Sequence, residues 1–462
     1  MVKKFYWRPP LALLPAALAL VMLAAGPVAA QQTQSPYKTM KLDNGLEVVV
    51  IENHSVPLVT VDIAVRNGSF TEPDEFAGLS HLYEHMFYKA NAAIPSQELF
   101  MDRVRELGIT FNGYTSDEVV TYFFTLPSGK MNEGMKFMAD AIRTPTFKND
   151  ELVKEREVVL SEFDRNEAQP SFVLNRAIDS ALWMPYVSRK QPLGQRPVIQ
   201  TATVEKMKMI QNRFYVPNNS ALIVSGDVKA DDVFALAKKY YSDWKQGANP
   251  FPTYNAPAFP PLTSKLVVRE AKVPEVMIHV EFFGPSIGKD DQDVYAASLL
   301  TELISQSTSR FSHNLVDSGL VTQIFGGYNP AQNGGTIGFF LTGPKEKAKQ
   351  ALNVLKSEIA AMGRPGYFSE KEIATAKNIA ADEKLFDQDN VYSFTIRTSA
   401  RWWSMASLDY YLNFSDNLAK VSSDQLRQVA NKYLVGKPFV LGVGAQRPTL
   451  DELNFTQEAL RW

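Results

Sequence analysis

The chain has 462 residues, a formal net charge of −2 and no cysteine. Without thiols there is no disulfide framework, no cysteine nucleophile and no thiolate metal site, so a chain of this length must be held by its apolar core. A mildly acidic balance with no basic run gives no reason to expect nucleic acid or an anionic membrane as a partner.

Residues 1–30 read as an export signal rather than as part of the fold. Lys3, Lys4 and Arg8 form a positive start, Leu11 to Ala25 is apolar, and Val28-Ala29-Ala30 supplies small residues for cleavage after Ala30. A retained anchor is the alternative, but the run is short for a bilayer span and Pro15 interrupts it. Cleavage removes three positive charges and no negative ones, taking the formal net charge from −2 to −5. An exported, thiol-free chain with no other long apolar run is expected to be soluble in a bacterial periplasm.

Lys38 to Glu52 reads as a hairpin turning at Asp43-Asn44-Gly45, and Leu58 to Val65 alternates like a strand. The next segment, Gly78-Leu79-Ser80-His81-Leu82-Tyr83-Glu84-His85-Met86-Phe87, contains H-x-x-E-H. On a helix, positions i and i+4 share a face, so both imidazoles can reach one metal ion with Glu84 on the same side. Two neutral histidine ligands and a carboxylate able to take a proton from activated water suit zinc-dependent hydrolysis. The plainer alternative is a helix with two surface histidines beside a glutamate.

Val119 to Leu126 reads as a further strand, and Asn149 to Phe163 as a helix capped by Asn149 or Asp150. Leu152, Val153, Val159, Leu160 and Phe163 form its expected apolar side. Glu151, Glu155 and Glu162 fall in one narrow stripe beside Val158. Glu162 can close a His/His/Glu site, and Glu155, two turns earlier, can orient a histidine from outside. Read alone, the stripe is equally a solvated acidic face.

Past the strand Ala221 to Ser225 the chain repeats itself. Val56 to Ile63 is echoed by Val273 to Val280, Thr146 to Glu151 by Tyr367 to Glu372, and Asn212-Arg213-Phe214-Tyr215 by Asn431-Lys432-Tyr433-Leu434. Ser369 and Glu372 form a plausible capping box. These echoes set an N-terminal zinc domain at 31–248, a proline-rich linker at 249–262 carrying Pro250, Pro252, Pro257, Pro260 and Pro261, and a C-terminal copy at 263–462. Each half mixes strands and helices in a way that suggests α+β. The copy lacks the chemistry: the position equivalent to His81 is Ser298.

The chain resembles the insulinase/pitrilysin family of zinc metallopeptidases, in the branch that includes the mitochondrial processing peptidase and many bacterial homologues. The resemblance rests on His81 to Lys89 and on Glu155-Arg156-Glu157-Val158-Val159-Leu160-Ser161-Glu162. Phe111-Asn112-Gly113-Tyr114-Thr115-Ser116 and Phe214 to Asn219, leading into Val224-Ser225-Gly226-Asp227, agree with it. It implies two similar α+β domains, each a mainly antiparallel sheet packed with helices, facing each other across a cleft. It further implies His81, His85 and Glu162 as zinc ligands, Glu84 as general base, Glu155 behind the ligands, and Asn112 and Gly113 on a strand edge that pairs with substrate.

One departure stands out. Single-chain catalytic members carry an arginine and a tyrosine in the second half that hold substrate and stabilise the oxyanion. Here Val316 and Thr322 occupy those positions, Arg310 matches a different arginine, and Tyr328 lies too far along. A lost oxyanion donor costs about two to three orders of magnitude in rate. The expectation is therefore a zinc endopeptidase for peptides or unfolded chains whose homologous partner supplies the missing pair, with a homodimer as the alternative assembly. A non-catalytic, zinc-containing peptide-binding or assembly subunit is the alternative function.

Overall fold

The structure is a computed structural model that describes residues 37–183, 191–251, 261–332, 334–389, 395, 402 and 408–462. The export-signal segment and the linker residues 252–260 lie outside these.

The first half opens with the hairpin β1 (Tyr37–Lys41) and β2 (Glu47–Glu52), followed by β3 (Leu58–Val65), α1 (Leu79–Phe87) and α2 (Gln97–Leu107). Strands β4 (Thr110–Thr115) and β5 (Val120–Pro127) come next, then α3 (Met131–Arg143), α4 (Asn149–Glu167), α5 (Pro170–Trp183), α6 (Arg196–Gln200), α7 (Val204–Phe214), β6 (Ser220–Gly226) and α8 (Ala230–Tyr241). The second half runs β7 (Lys265–Glu270), β8 (Val276–Gly284), α9 (Asp291–Ser305) and a single turn α10 (Arg310–Ser312) that continues into a π-helical turn, His313–Asp317. It continues with β9 (Gln323–Asn329), β10 (Gly335–Gly343), α11 (Ala348–Met362), α12 (Glu370–Asp389) and, after three further helices among the described residues, β11 (Val440–Ala445), before a short helix at Arg447–Leu453.

The duplication is real in three dimensions. The first sheet has the order β1-β2-β6-β3-β5-β4 and the second β7-β11-β8-β10-β9. Apart from the extra β1, both follow one plan: one parallel pair (β2 with β6, β7 with β11) and antiparallel pairing everywhere else. Each sheet carries its own apolar core on the helix-covered face. The capping box appears as expected: Ser369 Oγ accepts from Glu372 N–H at 3.2 Å and Glu372 Oε2 accepts from Ser369 N–H at 2.7 Å.

The opposite faces of the two sheets are covered by exchange. Leu174, Ile178 and Leu182 of α5, which belongs to the first half, pack on Val267, Met277 and Val440 of the second sheet. Trp402, Leu408 and Tyr411 of the second half pack on Val49, Ile51, Ala64 and Ile223 of the first. Gly442 and Gly444 of β11 make the approach of α5 possible. A Cβ at Gly442 would stand 2.4 Å from Ile178 Cδ1, and one at Gly444 would stand 2.6 Å from Met277 Cε and 3.3 Å from Leu174 Cδ2. A polar cluster sits in the same seam. His279 of β8 contacts Asn175 Oδ1 of α5 through Nδ1 (3.1 Å) and Glu281 Oε2 through Nε2 (2.8 Å). Burial, together with the charges of Glu281 and Asp117, pushes the nearby Asp179 carboxyl up to about 7.

Candidate metal centre

One side of α1 is apolar throughout: Leu79, Leu82, Tyr83, Met86 and Phe87 are buried, which turns His81, Glu84 and His85 to the other side. The helix begins at Gly78, whose φ of +97° suits a residue without a side chain and which cannot cap. The buried Glu72 carboxylate does so instead, accepting from Gly78 N–H and Ser80 N–H, both at 2.7 Å. Orphan amides at the helix start thereby meet a charge of the sign that the helix dipole favours.

Helix α4 packs against this polar side, and two sequence expectations about it need correction. Its N-cap is Lys148, with no side-chain cap, rather than Asn149 or Asp150. The chain enters through Phe147 at φ +48°, so Asn149 already lies inside the first turn. Val153 is not on the apolar side: it is 40% exposed, while Leu152, Glu155, Val159 and Phe163 are buried. Because α1 presents histidines, carboxylates of α4 turn inward.

The resulting geometry brings two imidazoles and a carboxylate together. His81, His85 and Glu162 offer atoms that all lie within 4.8 Å of one another. Glu162 Oε2 is 3.5 Å from His81 Nε2 and 3.8 Å from His85 Nε2, too long for a strong hydrogen bond. Zinc–ligand bonds of about 2.0–2.2 Å at tetrahedral angles give ligand–ligand edges of about 3.3–3.6 Å. The 3.5 Å spacing matches such an edge, while the 3.8 Å spacing and the 4.8 Å outer limit of the group exceed it.

Protonation fits as well. Burial, then the neighbouring His85, drives His81 down to about 3, so it is neutral and free to ligate. Burial also disfavours charge on His85, but Glu155, Glu162 and Glu84 outweigh it and raise its pKa. A cation at Nε2 would take the place of that proton. His85 Nδ1 lies 3.1 Å from Glu155 Oε2, and Glu155 Oε1 accepts from Lys89 Nζ at 2.6 Å. Burial raises the Glu84 carboxyl above its usual range, against a hydrogen bond donated by Thr115 Oγ1 to Oε2 at 2.5 Å.

Strand β4 lies at the free edge of the first sheet beside α1, which places Asn112 and Gly113 at an edge, as expected. Two details go beyond that. The Gly113 N–H donates to Asn112 Oδ1 at 3.0 Å, so an added peptide strand would have to displace this side chain. A Cβ on Gly113 would stand 2.9 Å from Glu84 Cγ and Oε1 and 2.8 Å from the Tyr88 hydroxyl, so glycine makes room for the carboxylate.

In the second half, Val316 lies in the π-helical turn and Thr322 is engaged elsewhere, donating to Glu275 Oε2 at 2.6 Å. The Tyr328 hydroxyl donates to Pro285 O at 2.8 Å, and Arg310 stacks on Tyr367 at 5.7 Å. Sequence reasoning missed Thr115, Lys89 and Glu72. Thr115 stands two residues after Gly113 on the same strand face, and Lys89 four after His85; both were signals of period. Glu72 lies in irregular chain and had none.

The chain is thus a duplicated α+β fold with, among the described residues, a His/His/Glu group on one copy, and known proteins resemble it over both copies. Residues 47–193 match the insulinase (peptidase family M16) domain and residues 201–380 the peptidase M16 inactive domain. Two stretches of the chain thus match peptidase M16 (insulinase family) domains, neither alone covering half of it. A zinc protease of Helicobacter pylori, PqqE, is 26% identical over 74% of this chain and 77% of its own length. The rat mitochondrial-processing peptidase subunit beta is 21% identical over 91% of this chain and 87% of its own. Among solved structures, a protease from Helicobacter pylori superposes with a TM-score of 0.78 at 21% identity, covering 88% of this chain and 99% of that one. The periplasmic protease PqqL of Escherichia coli gives 0.77 at 19% identity, covering 92% of this chain and 49% of that one. This chain therefore corresponds to about half of that protein. Among the described residues no helix is long and apolar enough to cross a membrane.

Proposed function

We propose that the chain is a zinc endopeptidase acting on peptides or unfolded polypeptides, with the metal held by His81, His85 and Glu162. The observation that carries this is the convergence of both Nε2 atoms on Glu162 Oε2 at 3.5 and 3.8 Å, with Glu84 on the same helix face. Zinc there would supply Lewis acidity, bringing the pKa of water to about 7 and polarising a carbonyl. Glu84 takes the proton of the attacking water on Oε1, since Thr115 occupies Oε2, and returns it to the leaving amine. Its raised pKa makes it a better proton acceptor than an exposed glutamate. Glu155 holds the ring of His85, and the β4 edge at Asn112 and Gly113 receives an extended peptide by strand addition.

Oxyanion support from within the chain is weak at Val316 and Thr322, whose side chains cannot donate across a cleft. We therefore assign an arginine and tyrosine to a homologous partner subunit; processing-peptidase subunits and the double-length PqqL, among the relatives, are the precedent for pairing. A periplasmic address accords with that of PqqL. A second reading, a zinc-containing subunit that binds peptide without turnover, draws on the same missing groups and on the inactive-domain match over 201–380. Glu84→Gln separates the two. On the enzyme reading it keeps zinc and fold and loses at least about a hundredfold in peptide cleavage, the usual contribution of a general base being 10²–10⁴. Retention of more than about a hundredth of the wild-type rate would refute the base role.

A further inference from the structure

Lys89 lies just past Tyr88, the C-cap of α1, four residues beyond His85, with its side chain only 10% exposed. A buried ammonium is costly unless it is paired. Its Nζ lies 2.6 Å from Glu155 Oε1, while the other oxygen of the same carboxylate lies 3.1 Å from His85 Nδ1. One carboxylate thus spans a cation and an imidazole. With only the histidine contact, the carboxylate of Glu155 could turn about its last torsion and take the ring with it. With both oxygens engaged, carboxylate and ring are fixed together, so that Nε2 points at Glu162. The other histidine has no such brace, His81 Nδ1 being buried with no hydrogen-bond partner among the described residues, and beyond the histidines the Glu162 carboxylate meets only the exposed Arg165 at 3.3 Å. Of the two histidines, His85 is therefore the one whose orientation is fixed from behind, and the contacts that fix it end at Lys89.

We propose that Lys89 is a positioning residue of the metal centre, locking Glu155 and, through it, the imidazole of His85. The proposal rests on the reading of His81, His85 and Glu162 as zinc ligands. It assigns Lys89 no contact with metal or substrate; its effect is on how tightly the metal is held.

The test is zinc affinity of the full chain, measured by competition with a chromophoric chelator, in Lys89→Met, Glu155→Gln and the double variant. Removing a partner behind a ligand costs about 10–100-fold in metal affinity, so Lys89→Met is expected near the lower end, about tenfold weaker. Because Lys89 acts through Glu155, Lys89→Met should add nothing in the Glu155→Gln background, a coupling that a merely structural loss would not produce. Should Lys89→Met not fold, Lys89→Gln, which keeps a donor without the charge, takes its place in the same cycle. An unchanged affinity in the single variant, or losses that multiply in the double, overturns the proposal. A wild-type chain that takes up no stoichiometric zinc overturns the metal reading itself, and is told apart because it appears before any substitution is made.

Discussion

The two halves share a strand order and differ in what they place on the first helix after the third strand of that order. In the first half α1 follows β3 and carries His81, Glu84 and His85; in the second α9 follows β8 and carries Ser298, whose hydroxyl merely donates to Val294 O at 2.8 Å. The helices opposite them differ in the same sense. Helix α4 turns Glu155 and Glu162 inward, whereas α12 buries Ile373 and Ala376. The sheet does not need the chemistry, and the copy without it still supplies a full core of its own. What the second half provides is the cover of the first sheet, through Trp402, and the surface beneath α5.

That comparison can be broken first at the glycines. Gly113→Ala should push its Cβ into Glu84, and because a misplacement of about 1 Å can cost roughly 10² in rate, peptidase activity should fall about a hundredfold with zinc content intact. Gly338→Ala in the second half forces a Cβ to 2.1 Å from Glu281 Oε2. It should cost about 1–3 kcal/mol of stability through overpacking and leave the rate of the folded fraction unchanged. Equal kinetic effects of both, measured beside thermal melts, would mean that the halves are not divided as described.

A smaller effect concerns what the second half lacks. Mixing the chain with a homologue that carries the arginine and tyrosine should raise peptide cleavage by at least about tenfold, a modest share of what oxyanion donors contribute. A chain that is already a fast peptidase, with no gain on mixing, would end the split-site account.

The smallest lies in the seam. Asp179 has its carboxyl pushed from 3.8 to about 7 by burial and by Glu281 and Asp117, with His279 and Gln191 acting against it. The folded chain then holds a proton that the unfolded chain has released. Stability from this group is full below about pH 4 and is lost as pH rises towards 7. Asp179→Asn should flatten that part of the melting-temperature profile and raise the melting temperature at pH 8; an unaltered slope would show that the carboxyl is not charged at the cost supposed.

Much of this was legible in the chain. The hairpin at Asp43-Asn44-Gly45, strand β3 and the face shared by His81 and His85 are set by local periods and turn residues. Glu162 was readable because two turns of helix repeat the direction of Glu155. The exchange of α5 onto the second sheet was not, since its apolar face says only that something covers it; the glycines at 442 and 444 were the one hint of a close approach. Glu72 was invisible for the same reason: its partners are backbone amides brought near by irregular chain.

The central claim is that one half alone holds a metal, through His81, His85 and Glu162. Metal analysis of the purified chain beside His85→Ala tests it most directly. The account predicts about one zinc ion per wild-type chain and about none in the variant, because a site of three protein ligands does not survive with two. Full zinc retained by His85→Ala would contradict it.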